Sequence, residues 1–173
     1  VDVRDGHVVL VDHALRESER IGTLMHYSET HDNDRLAKRG PTWSLMRNRL
    51  SALSSTSGAF GFTAGVEWLC TTKVDVHEAH PLAWDADDNL IAELRKLNTL
   101  LSEHPCFFDG ARVARVSGGK SPVLALERVS QVGLDACLVL INLDIEEAHD
   151  IELATALWER LGPLADRRSA WIV

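Results

Sequence analysis

The feature of this 173-residue chain that most constrains its fold is a change of hydrophobic period between Pro105 and Gly110. Before this point, apolar residues recur at the three- and four-residue spacing of amphipathic helices. After it, they alternate with polar residues or run continuously, as they do in β-strands. The sequence therefore predicts a region rich in helices over residues 1–105 and a region built from strands over residues 106–173.

Two segments are predicted helices, residues 43–53 and 89–103. Pro41 suits the first turn of the earlier helix, where its missing N–H is not needed. We expect Asp87 or Asp88 to cap the later helix, and Pro105 to stop it. The apolar residues at helical spacing are Trp43, Met46, Leu50 and Leu53 in the first segment, and Leu90, Ile91, Leu94, Leu97 and Leu101 in the second.

Three strands are predicted after Gly110. Residues 111–116 alternate as a half-buried strand does, and residues 122–127 and 136–143 follow after a glycine turn. The last of these is apolar enough to predict burial on both faces. We expect these strands to begin a β-sandwich with a terminal strand at 169–173, whereas residues 154–161 fit either a helix or a strand.

A run of polar residues directly follows a short apolar stretch near the start of the chain. Residues 23–27 form the apolar stretch, which we interpret as a strand, and residues 30–35 read Thr-His-Asp-Asn-Asp-Arg. A carboxylate flanked by His and Arg at a strand end is typical of a sugar-binding or catalytic site rather than a core.

This run resembles the last conserved motif of the α-amylase superfamily, glycoside hydrolase family 13, commonly Asn-His-Asp-Thr-x-Arg after the seventh barrel strand. His31, Asp32 and Arg35 match that pattern, whereas Thr30 stands in place of Asn and Asn33 in place of Thr. The later segments come in a similar order. Residues 59–68 resemble the eighth strand with its Gly-x-Glu turn, and residues 89–105 resemble the final barrel helix.

The resemblance implies an α/β fold with two parts. Residues 1–105 are expected to be the C-terminal portion of a (β/α)8 TIM barrel, and residues 106–173 a partial, antiparallel β-sandwich domain. A complete barrel takes about 250 residues. The resemblance therefore implies a fragment, with the missing N-terminal part of the same polypeptide as its partner and as the source of the nucleophilic Asp and the acid/base Glu.

The resemblance also implies roles for four residues. Asp32 is expected to be catalytic, by stabilising the oxocarbenium-like transition state, and His31, Arg35 and Glu67 to bind substrate. The implied activity is retaining cleavage or transfer of α-1,4-glucosidic bonds in an α-glucan or malto-oligosaccharide, with no cofactor. The alternative is a non-catalytic glucan-binding or assembly module of the same fold.

Composition excludes several other classes of function. The net charge of −8 disfavours nucleic acid as a partner, and no apolar run approaches the roughly 18 residues that cross a membrane. Cys70, Cys106 and Cys137 lack CxxC spacing, which predicts buried thiols in a reducing cytoplasm. Residues 75–80 offer two His and two carboxylates, but not at the spacing of a helical zinc motif. We expect no metal site.

Overall fold

The structure, a computed structural model, describes residues 4–57 and 59–161. Within these residues, the chain forms four α-helices, three β-strands and two short 3-10 turns. The helices are α1 (Val8–Ile21), α2 (Pro41–Ser54), α3 (Ile91–Glu103) and α4 (Thr155–Leu161). The strands are β1 (Arg112–Arg115), β2 (Val123–Val129) and β3 (Ala136–Asn142), and the 3-10 turns are Leu36–Arg39 and Pro105–Phe107.

The predicted helices are confirmed, with one difference in the capping residue of α3. Pro41 stands at the first position of α2, as its geometry favours. At the start of α3 it is Asn89, rather than Asp87 or Asp88, whose side-chain Oδ1 accepts from the backbone N–H of Ile91 at 3.2 Å. The apolar run at Val8 forms the first turn of α1, and residues 155–161 adopt the helical option.

The strands form one antiparallel sheet in the order β1-β2-β3. Arg112 of β1 lies opposite Val129 of β2, and Arg128 of β2 lies opposite Cys137 of β3. Burial is greatest in the central strand β2, where Leu124 and Leu126 are fully buried, whereas Leu140 of β3 is 51% exposed. The expectation that residues 136–143 are buried on both faces is therefore wrong, because β3 lies at the edge of the sheet.

The expected TIM-barrel portion is wrong for the described residues, which form a small mixed α/β domain with a single three-stranded sheet. The two predicted barrel strands meet at one parallel bridge, between His26 and Phe60. The His26 N–H donates to the Ala59 carbonyl at 3.1 Å, and the Gly61 N–H donates to the His26 carbonyl at 2.9 Å. A barrel requires each strand to pair along its length with two neighbours, and one bridge does not supply that ladder.

The expected antiparallel β-sandwich is also wrong in the described residues. A sandwich needs a second sheet facing the first, whereas the β1-β2-β3 sheet shares its apolar cluster with helices. That cluster contains Val11 of α1, Leu50 of α2, Leu97 of α3, and Leu124 and Ile141 of the sheet. The cluster crosses the predicted boundary at 105/106, which itself stays a prediction, and the predicted strand at 169–173 lies outside the described residues.

Arg128 ties the sheet to the end of α2. Its guanidinium is fully buried and donates to the carbonyls of Cys106 (2.9 Å), Leu53 (3.0 Å), Ser55 (2.8 Å) and Thr56 (2.9 Å). Burial lowers the pKa of Arg128 to about 10, so the group remains charged at neutral pH. A helix ends with unsatisfied carbonyls that favour a cation, and Arg128 supplies one.

None of the described helices combines the length and the apolar character that a membrane span requires.

Candidate functional site

Two loops meet at the carboxyl ends of the segments joined by the parallel bridge. The first, residues 28–36, follows the His26 segment, and the second, residues 63–70, follows the Phe60 segment; α2 connects the two segments. We refer to residues 28–36 and 63–70 as the paired loops. Ligand sites in α/β proteins commonly lie beyond the carboxyl ends of parallel strands, so this position favours a binding site.

A buried ion pair forms the base of the paired loops. The Arg35 Nε lies 2.7 Å from Glu29 Oε1, and the two side chains are 0% and 1% exposed. The other carboxylate oxygen of Glu29 accepts from the Leu36 backbone N–H at 2.6 Å. Burial raises the pKa of Glu29, while the Leu36 amide and the Arg35 cation act in the opposite direction. This pair fixes both ends of the first loop.

Arg35 also joins the first loop to the second. Its Nη2 donates to the Ala64 carbonyl at 2.9 Å, and the Thr63 hydroxyl donates to the Glu29 carbonyl at 3.0 Å. Gly65 follows with φ +91°, and a Cβ there would lie 3.2 Å from Arg35 Nη2. A glycine is therefore needed for both its backbone conformation and the close approach of the guanidinium.

His31 and Asp32 stand at the exposed tip of the first loop. Their side chains are 54% and 78% exposed, and His31 Nε2 lies 3.3 Å from Asp32 Oδ1. Below them, the Thr30 hydroxyl donates to Asn33 Oδ1 at 2.8 Å and accepts from the Asp32 N–H at 3.3 Å. These bonds, together with a hydrogen bond from Arg4 Nη2 to Asn33 Oδ1, hold the loop backbone, which presents a carboxylate and an imidazole to solvent.

The other two predicted site residues, Arg35 and Glu67, do not lie at the exposed tip with His31 and Asp32. Arg35, predicted to bind substrate, is buried and contacts protein groups, whereas Glu67 is half-buried and its Oε2 accepts from the Gly65 N–H at 2.9 Å. Arg35 and Glu67 therefore converge on the same turn. Asp32 has its polar contacts within its own loop in the described part of the chain.

An open depression of about 550 Å³ is lined by Glu67 and by residues of α3. Its lining residues include Phe62, Ile91, Arg95 and Asn98. His31 and Asp32 do not line this depression. Glu67 therefore contributes both to the depression and to the Gly65 turn of the paired loops.

Two tryptophans extend the second loop. Trp68 lies in the turn after Gly65, and its ring meets that of Trp84 edge to face, with centroids 6.2 Å apart. Trp84 is 61% exposed. An exposed indole has no role in the core, and aromatic faces of this kind suit the apolar face of a sugar ring.

Asp75, Glu78 and His80 place potential ligand atoms within 4.8 Å of one another, and all three are exposed. The Asp75 carboxylate accepts from the His77 N–H at 2.8 Å, which lowers the pKa of Asp75. These contacts describe a solvated acidic loop.

Glu29 is the residue of the paired loops that sequence reasoning missed. It directly precedes the polar run, and only the six-residue interval to Arg35 hints at a pair. Loop residues have no regular spacing from which an ion pair could be predicted. The burial of Glu29 is therefore known only from the fold.

Comparisons with family models, with curated proteins and with solved structures each give no match to this chain.

Proposed function

We propose that the paired loops bind an α-glucan or malto-oligosaccharide, and that Asp32 there supports retaining cleavage or transfer of α-1,4-glucosidic bonds. The observation that carries the proposal is the contrast within the first loop. Its base is fixed by the buried Glu29–Arg35 pair, and its tip exposes His31 and Asp32. A buried ion pair that fixes the loop, together with exposed polar side chains at its tip, suits the binding of a hydroxyl-rich ligand.

The chemistry of the tip suits a sugar. A carboxylate accepts hydrogen bonds from vicinal hydroxyls, and an imidazole both donates and accepts. In cleavage, positive charge develops at the anomeric carbon, and a carboxylate beside it stabilises the transition state more than the ground state. Asp32 supplies that charge in the proposal, and His31 supplies a hydrogen bond to the same ring.

The other elements of the paired loops have supporting roles. Arg35 acts as a positioning residue through Glu29, Glu67 holds the Gly65 turn, and Trp84 offers an exposed ring for stacking. Retaining cleavage also needs a nucleophile and a general acid on either side of the bond. We propose that parts of the polypeptide outside this sequence supply those two groups, in the cytoplasm.

A second candidate function is glucan binding without catalysis. The observation that favours it is the exposure of the Asp32 carboxylate. Its side chain is 78% exposed and its ion-pair partner is the adjacent His31, whereas a retaining site holds two carboxyl groups roughly 5 Å apart around the cleaved bond. A binding module needs only the hydrogen bonds and the stacking surface.

Titration of the 173-residue chain with maltoheptaose, followed by calorimetry, tests the binding step. Asp32→Asn should weaken binding by roughly ten- to a hundredfold, because hydrogen bonds to a charged acceptor are the stronger ones. Asp34→Asn is the matched control. Asp34 is in the same loop, but its carboxylate is 72% exposed and pairs with Lys38, so binding should be unchanged. Equal affinities for wild type and Asp32→Asn, or a loss confined to Asp34→Asn, would refute the proposed site.

Turnover separates the two candidate functions. We expect no release of reducing sugar by the 173-residue chain. In a longer polypeptide that cleaves maltoheptaose, Asp32→Asn should lower kcat by at least about a hundredfold if Asp32 stabilises the transition state. An unchanged kcat with weakened binding would select the binding module.

A further inference from the structure

A second cluster of chemically active side chains lies at the far end of α3. His104, Cys106 and Cys137, which we call the thiol–imidazole cluster, place potential ligand atoms within 4.8 Å of one another. Cys106 is fully buried, whereas His104 and Cys137 are half-buried. Both cysteines are free. The cluster is distinct from the paired loops and does not depend on the proposed function.

The fold brings these residues together through two separate features. Pro105 ends α3, and in the turn that follows the Cys106 N–H donates to His104 Nδ1 at 3.2 Å, which holds the imidazole beside the cysteine backbone. Cys137 arrives from the sheet, directly opposite Arg128 in the β2–β3 register. Arg128 Nε donates to the Cys106 carbonyl at 2.9 Å, so the strand residue that pairs with Cys137 also contacts the backbone of Cys106.

The charges nearest the two thiols are the Arg128 cation, which acts on both, and the Asp135 carboxylate, which opposes it at Cys106. Arg128 is buried, donates only to carbonyls among the described residues, and has no carboxylate partner there. A cation held by neutral ligands beside this guanidinium would be repelled. Two thiolates would neutralise a divalent ion, so the Arg128 guanidinium would remain as the net charge beside the site.

We propose that His104, Cys106 and Cys137 bind a thiophilic divalent cation of the zinc class. The cation would take two thiolates and one imidazole nitrogen, with a water molecule as the fourth ligand. Zinc bonds of about 2.0–2.3 Å to nitrogen and sulfur place tetrahedral ligand atoms nearly 4 Å apart. The present separation of at most 4.8 Å requires a contraction toward that value, and ligation by His104 requires the hydrogen bond from the Cys106 N–H to Nδ1 to open. Binding releases the two thiol protons to solvent and changes no oxidation state.

The position of the site gives the ion a structural role. His104 and Cys106 follow α3, and Cys137 belongs to β3, so the cation would join the end of a helix to the edge strand of the sheet. A ligand that binds only the folded state raises its stability. The Asp75, Glu78 and His80 group lacks sulfur and is exposed throughout, which makes it a different, oxygen-rich surface.

Titration of the reduced 173-residue chain with Co²⁺, and displacement by Zn²⁺, tests the proposal. Thiolate ligation to Co²⁺ produces a charge-transfer band in the near ultraviolet, and tetrahedral geometry produces visible d–d bands. We expect both at one equivalent, together with a higher Tm in Zn²⁺. Cys137→Ser should remove the charge-transfer band from Cys137 and weaken Co²⁺ binding by at least about tenfold, and His104→Gln should weaken binding while retaining thiolate absorption.

The controls are Cys70→Ser and the triple variant Asp75→Asn, Glu78→Gln, His80→Gln. Both should bind Co²⁺ as the wild type does, because neither changes the thiol–imidazole cluster. Far-UV circular dichroism tests whether each variant is folded. If Cys137→Ser does not fold, His104→Gln still tests the proposal. Absence of thiolate absorption in the folded wild type, or its loss in Cys70→Ser, would overturn the proposal.

Discussion

Two fully buried arginines stabilise different parts of this molecule by different chemistry. Arg35 pairs with a carboxylate, Glu29, and also donates to one carbonyl of the neighbouring loop. Arg128 instead donates to four carbonyls, three of which belong to residues at the end of α2. The charge of Arg35 is therefore balanced by a carboxylate, whereas that of Arg128 is stabilised by carbonyl dipoles.

The difference follows from what each arginine must hold. Arg35 joins residues 29, 35 and 64, all within the paired loops, and its carboxylate partner fixes a loop tip whose exposed groups do the proposed binding. Arg128 joins residues 53–56, 106 and 128, which are distant in sequence. Helix-end carbonyls need donors wherever a helix ends inside a protein, so Arg128 serves the fold as a whole. We therefore expect Arg128 to affect global stability and Glu29 to affect both stability and the loops.

The largest effect is expected for Arg128→Met. The substitution keeps an apolar stem of similar length, yet it leaves four buried carbonyls without their donor. Each unsatisfied group costs about 1–3 kcal/mol, and partial hydration reduces the sum. We expect the free energy of unfolding to fall by roughly 5 kcal/mol, measured by urea denaturation. Arg112→Met is the control, because Arg112 is an exposed arginine on the same sheet; a loss as small as that of the control would show that Arg128 is not a fold-wide tie.

A somewhat smaller effect is expected for Glu29→Gln. The amide keeps the shape of the side chain but leaves Arg35 charged and buried without an anion, which typically costs about 3–5 kcal/mol. We expect the lower end of that range, since Arg35 retains the Ala64 carbonyl. Maltoheptaose binding should weaken in the same variant, because the loop base is no longer fixed.

The double variant Glu29→Leu, Arg35→Met sharpens the comparison. Replacing both charges by apolar side chains removes the desolvation cost along with the attraction, so the double variant should be more stable than Glu29→Gln. Binding should nevertheless remain weak if the ion pair positions the loop. Recovery of stability together with full binding would show that the pair has no positioning role.

The effect that is smallest near neutral pH is a pH dependence of stability that arises from His26. The backbone of His26 forms the parallel bridge, and its Nδ1 lies 3.1 Å from the Ser54 hydroxyl at the end of α2. Burial lowers the pKa of His26 from 6.5 to about 4. The unfolded chain therefore binds a proton that the folded chain excludes between these two values. Stability from this group is full above pH 6.5 and is lost as the pH falls toward 4, by up to about 3 kcal/mol.

Urea denaturation from pH 7.5 to 4 measures this dependence. Other groups titrate in the same range, so the difference between wild type and His26→Gln isolates the histidine. The difference should shrink as the pH falls, whereas His13→Gln, at an exposed position of α1, should show the same slope as wild type. A constant difference between wild type and His26→Gln would mean that His26 is not neutral in the fold.

Much of the local structure was predictable, and its arrangement was not. The spacing of Trp43, Leu50 and Leu97 identified two helices, because a helix must bury one face. Alternation after Gly110 identified three strands for the equivalent reason. The barrel and the sandwich were wrong, because strand pairing depends on distant partners that a short motif does not specify.

The candidate site divides in the same way. The sequence by itself determined that His31 and Asp32 follow an apolar segment in a polar run, and these two side chains are exposed because water solvates them better than a core does. Only the tertiary structure decided that Arg35 is buried, that Glu29 is its partner, and that Cys106 meets Cys137. Charges and thiols have no periodic pattern that selects their neighbours; their partners are set by which surfaces the helices and strands bring together.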